Sequence, residues 1–310
     1  MAFTRVHHVG MVVNDLEEAQ RVYCKGFGMA VDEHRSPLPN GRQGHFDDVT
    51  TIELPIGEMF LEISRPNDPN SEAASFVRDR SGQGGMHHLC LESNDMESDV
   101  GALLSRGLKI KQLPGMKDWD GKGEVYFDPT TTLGITIGVH PLDSYVPHPA
   151  YRGDGTFIGM GHVGIAARDT EEARHLWGDK IGLAQARSGS RENVPREHDP
   201  ENQGPDDPVS IINFPLGGTV IEISVPPNDQ TGTGKYVAQR APLGAAFHHI
   251  CPFAPDVHRA VDMGKAAGLR QIGAIPPKEI SDRAVGWFHP RSCMGTLMEI
   301  WNMPPAGGAS

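Results

Sequence analysis

Short apolar runs recur along the chain, and four of them open in the same way. They read HHVGMVV at 7–13, HHLCLES at 87–93, GHVGIAA at 161–167 and HHICPFA at 248–254. Short apolar runs bounded by turn residues are typical of buried β-strands. The second residue of each run therefore marks the start of one of four equivalent strands, at His8, His88, His162 and His249.

A helix is predicted after each of these strands. Seven residues beyond each histidine stands an aspartate, and nineteen or twenty residues beyond it stands a glycine. Aspartate caps a helix by accepting its free amide hydrogens, and glycine adopts the left-handed conformation that ends one. The four pairs are Asp15 and Gly28, Asp95 and Gly107, Asp169 and Gly182, and Asp256 and Gly268. One helical face is predicted to hold Met96, Val100, Leu103 and Leu104, and another Val257, Ala260 and Val261.

Two further strands joined by a tight turn follow each helix. The pairs are TTIELPIG and EMFLEIS, VYFDP and GITIGV, SIINFPLG and TVIEIS, and GWFHP and TLMEIW. Each module is thus a strand, a helix and about three strands, and the chain is predicted to be an α+β protein of four βαβββ modules. A stretch rich in proline and glycine at 141–159 divides them. The predicted domains are 1–143 and 159–310, with a linker at 144–158.

Composition limits the classes of partner. The formal net charge of −12 disfavours nucleic acid and anionic membrane surfaces. There is no run of about eighteen apolar residues and no N-terminal signal pattern, so we expect a soluble cytoplasmic protein with a small-molecule substrate. The four cysteines form no CxxC pair, which favours reduced, buried thiols. Homodimerisation is left open.

Two glutamates stand where apolar side chains are expected. Glu222 lies in TVIEI and Glu299 in TLMEI. A buried carboxylate is costly unless a cation compensates it. Together with His162 and His249, these glutamates predict one divalent metal ion, for which Mn, Co, Ni, Zn and Fe(II) are all suitable. The preceding His7, His87 and His248 are expected on the opposite strand face.

The modules and their motifs resemble the vicinal oxygen chelate superfamily, which includes glyoxalase I, methylmalonyl-CoA epimerase, extradiol dioxygenases and metal-free antibiotic-binding proteins. GGMHHLCLES, FHHICPF and FHPRSCMGTLMEI are most similar to the epimerases. The resemblance implies two tandem domains, each a half-open mixed β-sheet barrel with helices outside. It implies the ligands His162, Glu222, His249 and Glu299 in the second domain. In the first it implies a degenerate site of His8, Glu62 and His88, where Gly138 offers no fourth side chain.

The same resemblance implies a reaction through a metal-stabilised enolate on a small carbonyl or acyl-thioester substrate, with Glu299 and Glu222 as ligand and base in one. The epimerase branch also has a carboxylate on an early strand, for which Glu192 and Glu197 are candidates. The polar segment 185–209 is interpreted as a cover over the site or a surface insertion. Candidates for binding a substrate carboxylate or phosphate, with a solvated surface as the alternative, are Arg191, Arg196, Lys278, Arg283 and Arg291.

Two other functions remain open. Extradiol dioxygenases also have four modules and bind Fe(II) at positions that match His162, His249 and Glu299. That branch has a tyrosine near the substrate in the interval that matches His249 to Glu299, however, and this chain has none there. Glu222 would also be an extra carboxylate without a role in that reaction. A metal-free binding protein would need an aromatic cleft, although aromatic residues are only 6% of the chain. Glyoxalase I has a DPDGY-like turn in its modules, and the absence of this turn argues against glutathione adducts as substrates. Methylmalonyl-CoA epimerases usually have a single pair of modules, whereas this chain has two, so the resemblance does not fix the substrate.

Overall fold

The computed structural model describes residues 3–112, 119–143, 145–186, 207–280 and 284–302. The strands of the first half are β1 (Phe3–Val13), β2 (Arg42–Gln43), β3 (Val49–Ile56), β4 (Met59–Pro66), β5 (Gly84–Ser93), β6 (Val125–Tyr126) and β7 (Thr136–Pro141). Those of the second half are β8 (Gly159–Ala167), β9 (Ser210–Leu216), β10 (Thr219–Val225), β11 (Ala245–Phe253), β12 (Gln271–Ile272), β13 (Val285–Phe288) and β14 (Leu297–Trp301). The α-helices are α1 (Leu16–Gln20), α2 (Glu72–Asp79), α3 (Met96–Ser105), α4 (Thr170–Arg174), α5 (Gly232–Arg240) and α6 (Val257–Ala266). Helices α1 and α4 continue as π-helical turns at Arg21–Lys25 and His175–Lys180.

The strands form two mixed sheets, one for each half of the chain. Their orders are β2-β3-β4-β1-β5-β7-β6 and β12-β13-β14-β11-β8-β10-β9. In each sheet the first strands of two modules pair antiparallel at the centre, and each has the last strand of its own module parallel on its other side. The predicted α+β fold of tandem half-open barrels with helices outside is confirmed. Among the described residues, two strands follow the helix in the second and third modules, and three follow it in the first and fourth.

The predicted helix boundaries are also confirmed. Asp15, Asp95, Asp169 and Asp256 all accept backbone amide hydrogens at helix N-termini. The four predicted glycines have positive φ, at 69° for Gly28, 88° for Gly107, 84° for Gly182 and 80° for Gly268. Leu104 was wrongly assigned to the buried face and is 40% exposed. It lies about 80° around the helix from Met96, at the edge of the apolar stripe.

The predicted tight turn between the last two strands of a module is confirmed in two modules and is wrong in the other two. Gly57 and Gly217, at φ 59° and 60°, close the turns between β3 and β4 and between β9 and β10. The other two connections contain 3₁₀-helices, Pro129–Thr131 and Pro290–Ser292. Each of these begins with proline, whose fixed φ favours a helical first turn, after a residue whose side chain caps it.

The two halves share one continuous hydrophobic core. Phe27 in the first half packs edge-on against Phe288 in the second, with ring centroids 5.4 Å apart. The amide of Ala245 donates to the carbonyl of Leu133 at 2.6 Å. Since β7 ends at Pro141 and β8 begins at Gly159, the linker falls between two strands. The exact domain boundaries stay predictions.

Two expectations from composition can be compared with the structure. Cys90, Cys251 and Cys293 are buried and free, as predicted, while Cys24 is free and partly exposed. Among the described helices, none has the length and apolar character needed to cross a membrane. Cytoplasmic location stays a prediction, and homodimerisation stays open.

Candidate metal centre

Four neighbouring strands of the second sheet bring the predicted ligands to one level. Glu222 on β10 and His249 on β11 both pair with Gly164 on β8. His162 on β8 pairs with Cys251, and Glu299 lies on β14, the parallel neighbour of β11. The pseudosymmetry of the strands therefore gathers side chains from positions up to 137 residues apart.

A β-bulge precedes each of the four repeat histidines. Val6 pairs with Leu91 and His8 with Cys90, so His7 is the extra residue in its strand. The same shift in register leaves His87, Gly161 and His248 as extra residues. A bulge re-aims the side chains beside it.

The expectation that the preceding histidines lie on the opposite face is wrong for this reason. Each contacts its neighbour through the Nδ1 atoms, at 2.7 Å for His7 and His8, and at 3.0 Å for His87 and His88. His248 and His249 make the same contact at 3.0 Å. Burial lowers the pKa of His248 to about 3, so this ring is neutral. It can accept a hydrogen bond from the Nδ1–H of His249. In that tautomer, Nε2 of His249 carries a lone pair that can bind a metal ion.

Three donor atoms meet at the centre of the C-terminal half. Nε2 of His162 lies 2.9 Å from Nε2 of His249 and 3.0 Å from Oε2 of Glu299. Nε2 of His249 lies 3.2 Å from the same oxygen. All three residues are buried. Donors about 2.1 Å from an ion and at right angles to one another are about 3.0 Å apart, so the three atoms have the spacing of one face of an octahedral site.

Glu222 stands slightly back from these three donors. Its Oε1 lies 3.8 Å from Nε2 of His249 and accepts a hydrogen bond from the Ser224 hydroxyl at 3.4 Å. Its side chain is 14% exposed, whereas that of Glu299 is 3% exposed. The structure therefore brings all four predicted residues together, three as a compact set and Glu222 beside them.

The electrostatics of this cluster favour a cation. Burial alone would raise the pKa of Glu299, but the adjacent imidazoles of His162 and His249, whose Nε2 atoms lie 3.0 Å and 3.2 Å from Oε2, hold that pKa well below its usual value. Burial alone would lower the pKa of His162, but the neighbouring carboxylates of Glu222 and Glu299 raise it well above its usual value. Within the described ranges, no arginine or lysine pairs with Glu222 or Glu299. Two carboxylates facing two imidazoles are the donor set of a divalent ion, and the residues fit one.

Two glycines were missed as site residues. A Cβ on Gly164 would lie 2.0 Å from Cε1 of the His249 ring, and a Cβ on Gly10 would lie 1.9 Å from Cε1 of His88. The histidine rings therefore lie directly over these glycines. The signal was visible in the repeat, because both glycines stand two residues after the anchor histidine of their run, in HHVG and GHVG.

The N-terminal half repeats the arrangement with fewer donors. Nε2 atoms of His8 and His88 are 3.1 Å apart, and Oε1 of Glu62 lies 3.6 Å from Nε2 of His88. At the fourth position, a Cβ on Gly138 would lie 2.9 Å from the Cys90 sulfur and 3.0 Å from the Tyr126 ring. This space is already filled.

The remaining predicted residues are not part of either cluster as described. Glu192, Glu197, Arg191, Arg196 and Arg283 lie outside the described residues, as does most of the segment 185–209. Lys278 forms an ion pair with Asp256, the cap of α6, at 2.6 Å. Arg291 is exposed in a 3₁₀-helix. The roles suggested for them stay predictions.

Each half of the duplicated βαβββ fold thus holds two histidines and a carboxylate that could bind a metal ion. Two domain profiles, both described as the Glyoxalase/Bleomycin resistance protein/Dioxygenase superfamily, match residues 7–127 and 159–286. The chain belongs to this superfamily.

Individual relatives match part of the chain at low sequence identity. The mitochondrial methylmalonyl-CoA epimerase of Bos taurus is 27% identical over 133 residues, which are 43% of this chain and 71% of the relative. The ethylmalonyl-CoA/methylmalonyl-CoA epimerase of Cereibacter sphaeroides is 31% identical over 145 residues, 46% of this chain and 95% of the relative. These matches cover less than half of the chain.

Solved structures are similar over the whole chain. A mutant of 4-hydroxymandelate synthase from Streptomyces coelicolor has a TM-score of 0.66 at 15% identity, covering 100% of this chain and 94% of its own. A halotolerant catechol dioxygenase has a TM-score of 0.57 at 12% identity, covering 98% of this chain and 88% of its own. At this identity the similarity establishes the fold alone.

Proposed function

We propose that the C-terminal half is a metal-dependent isomerase or lyase site that forms an enolate from a small carbonyl or acyl-thioester substrate. The observation that carries this proposal is the second carboxylate, Glu222, beside a compact set of two histidines and Glu299. The epimerases among the relatives support the same class of reaction.

His162, His249 and Glu299 are the proposed ligands, since their donor atoms are mutually about 3 Å apart, as cis ligands are. An ion bound there would polarise a substrate carbonyl and stabilise the negative charge of the enolate. Cys251 pairs with His162 in the sheet, and burial raises the pKa of this cysteine to about 12, so it stays a neutral thiol. His248 contacts Nδ1 of His249 and helps to orient that imidazole, and neither His248 nor Cys251 competes as an anionic ligand.

Glu222 is the proposed base. Its carboxylate lies beside the three proposed ligands and is partly exposed, so that one of its oxygens can reach the substrate carbon next to the carbonyl. The carboxylate takes the proton from that carbon while the electron pair moves to the carbonyl oxygen. Return of the proton to the opposite face of the same carbon, as the carbonyl re-forms, inverts that centre.

Solvent exchange tests this proposal. In D₂O, the metal-loaded protein is expected to introduce deuterium at the carbon next to the carbonyl of an acyl-thioester with an acidic α-hydrogen, such as a 2-carboxyacyl-CoA. Mass spectrometry measures the deuterium, and an oxygen electrode should record no oxygen consumption. Absence of exchange across a panel of 2-carboxyacyl and 2-hydroxyacyl thioesters and 2-oxo acids would contradict enolate chemistry.

The Glu222→Gln variant separates base from ligand. We expect it to retain its metal while the exchange rate falls about a hundredfold or more, because a general base contributes about 10²–10⁴ in rate. Metal content by elemental analysis and exchange by mass spectrometry give the two readouts. Ser224→Ala, which removes only the hydroxyl hydrogen-bonded to Glu222, serves as a milder control. Loss of metal in Glu222→Gln would instead make Glu222 a fourth ligand.

A second candidate is ring-cleaving oxygenase chemistry with Fe(II). One observation favours it, namely that His162, His249 and Glu299 form the two-histidine, one-carboxylate set typical of non-haem Fe(II) oxygenases. Oxygen uptake with a catechol, dependent on Fe(II), would support this candidate over the enolate reaction.

A further inference from the structure

We propose that Arg42 is an internal cation that competes with a divalent metal for Glu62 and keeps the N-terminal site from binding one. The histidines and carboxylate of that site resemble those of the C-terminal half, but among the described residues an arginine binds Glu62, whereas none binds Glu222 or Glu299. The contacts of Arg42 explain the difference, and they are independent of the reaction proposed above.

The guanidinium of Arg42 bridges two buried carboxylates. Its Nη2 lies 2.5 Å from Oε2 of Glu62 and 2.7 Å from Oε1 of Glu53, and its Nε donates to the same Glu53 oxygen at 2.8 Å. Glu53 on β3 pairs directly with Glu62 on β4. Arg42 is only 19% exposed, and both glutamates are almost fully buried. Charge-assisted hydrogen bonds of this kind are strong and geometrically specific.

The effect on the site is electrostatic. The guanidinium of Arg42, which is always charged, binds Oε2 of Glu62 directly, so the charge of this carboxylate is already compensated by a fixed positive group. A divalent ion beside His8 and His88 would meet this guanidinium at close range, where repulsion between like charges is largest.

The donor atoms themselves remain in place. Oε1 of Glu62 is buried and has no hydrogen-bond partner among the described residues; it lies near Nε2 of His88, which is 3.1 Å from Nε2 of His8. The site is thus a latent three-donor site in which one carboxylate oxygen is held by Arg42 and the other faces the imidazoles. Removal of the guanidinium should make this set available to a metal.

Metal binding in the absence of the C-terminal site tests the proposal. Full-length His249→Ala is dialysed against Co²⁺, and cobalt per chain and its visible absorption are measured. We expect little Co²⁺ in His249→Ala and about one equivalent in Arg42→Met/His249→Ala, with affinity at least about tenfold higher. A further His8→Ala change should abolish the gained ion, which assigns it to the N-terminal donors.

Two controls distinguish charge from disturbance of the fold. Arg42→Lys keeps a positive charge and should not gain Co²⁺. Arg35→Met removes a neighbouring arginine that binds Glu53 and Asp143, and it should not gain Co²⁺ either. If Arg42→Met does not fold, as judged by circular dichroism, Arg42→Gln removes the charge and keeps a hydrogen-bond donor.

Three outcomes would overturn the proposal. These are tight Co²⁺ binding by His249→Ala through His8, no gain in a folded Arg42→Met/His249→Ala protein, or an equal gain in the Arg35→Met control. The result is also separable from the proposed function. If the wild-type protein bound no Co²⁺ while the Arg42→Met variant gained one ion, the role of Arg42 would stand and the C-terminal metal site would be rejected.

Discussion

The His249→Ala variant is expected to lose the metal of the C-terminal half, with affinity reduced by about a hundredfold or more, since changes to supporting residues alone cost about 10–100-fold. The imidazole contributes one of three donors spaced about 3 Å apart, and its removal leaves His162 and Glu299 alone at the centre. Elemental analysis of protein purified without chelators measures the loss. Solvent exchange of the substrate should disappear together with the metal.

A surface histidine provides the matched control. His175, on the π-helical turn after α4, is 61% exposed and pairs with Asp179 four residues on. His175→Ala should retain both metal and exchange. If His249→Ala kept its metal and His8→Ala lost it, the metal site would lie in the N-terminal half, and both the proposed function and the role of Arg42 would be wrong.

The Gly164→Ala variant is expected to weaken metal binding strongly although it removes no donor. Its new methyl group would occupy the space of the His249 ring, 2.0 Å from Cε1 and 2.2 Å from Nδ1. The imidazole must move, and overpacking of this kind costs about 1–3 kcal/mol of stability. Chemical denaturation measures the free energy of unfolding, and dialysis measures the metal affinity.

Two other glycines calibrate this result. Gly159 lies on the same strand, and a Cβ there would meet no atom of the described residues within 4 Å, so Gly159→Ala should change neither quantity appreciably. Gly10→Ala places a methyl group against His88 and should reduce stability without reducing the metal content. Full metal affinity in Gly164→Ala would show that the position of the His249 ring is not critical.

Much of the fold could be predicted from sequence because its signals are local. Asp15 and Gly28 mark the two ends of one helix through backbone requirements that act within a few residues, and the same spacing recurs in all four modules. The convergence of His162, His249 and Glu299 followed from treating equivalent positions of the repeat as equivalent in space. This worked because the strands that carry them are neighbours in one sheet.

The features that were missed depend on how strands pair. A bulge is a property of two strands in register, so the position of His248 beside His249 could not be read from a period of two residues. Arg42 lies in a polar segment with no counterpart in the repeat pattern, and its proximity to Glu62 appears only once β2, β3 and β4 are assembled. The recessed position of Glu222 likewise depends on the exact geometry of the site.

The shared core makes each half a structural requirement of the other. Tyr23 donates a hydrogen bond to the Cys293 carbonyl across the halves, and Phe27 packs against Phe157 and Phe288. Deletion of the N-terminal half would expose this apolar surface to water, at a cost proportional to its area. The N-terminal half therefore contributes to the stability of the C-terminal half, whichever ligand its own histidines and carboxylate bind. A duplicated domain can be retained in this way for its structural contribution alone.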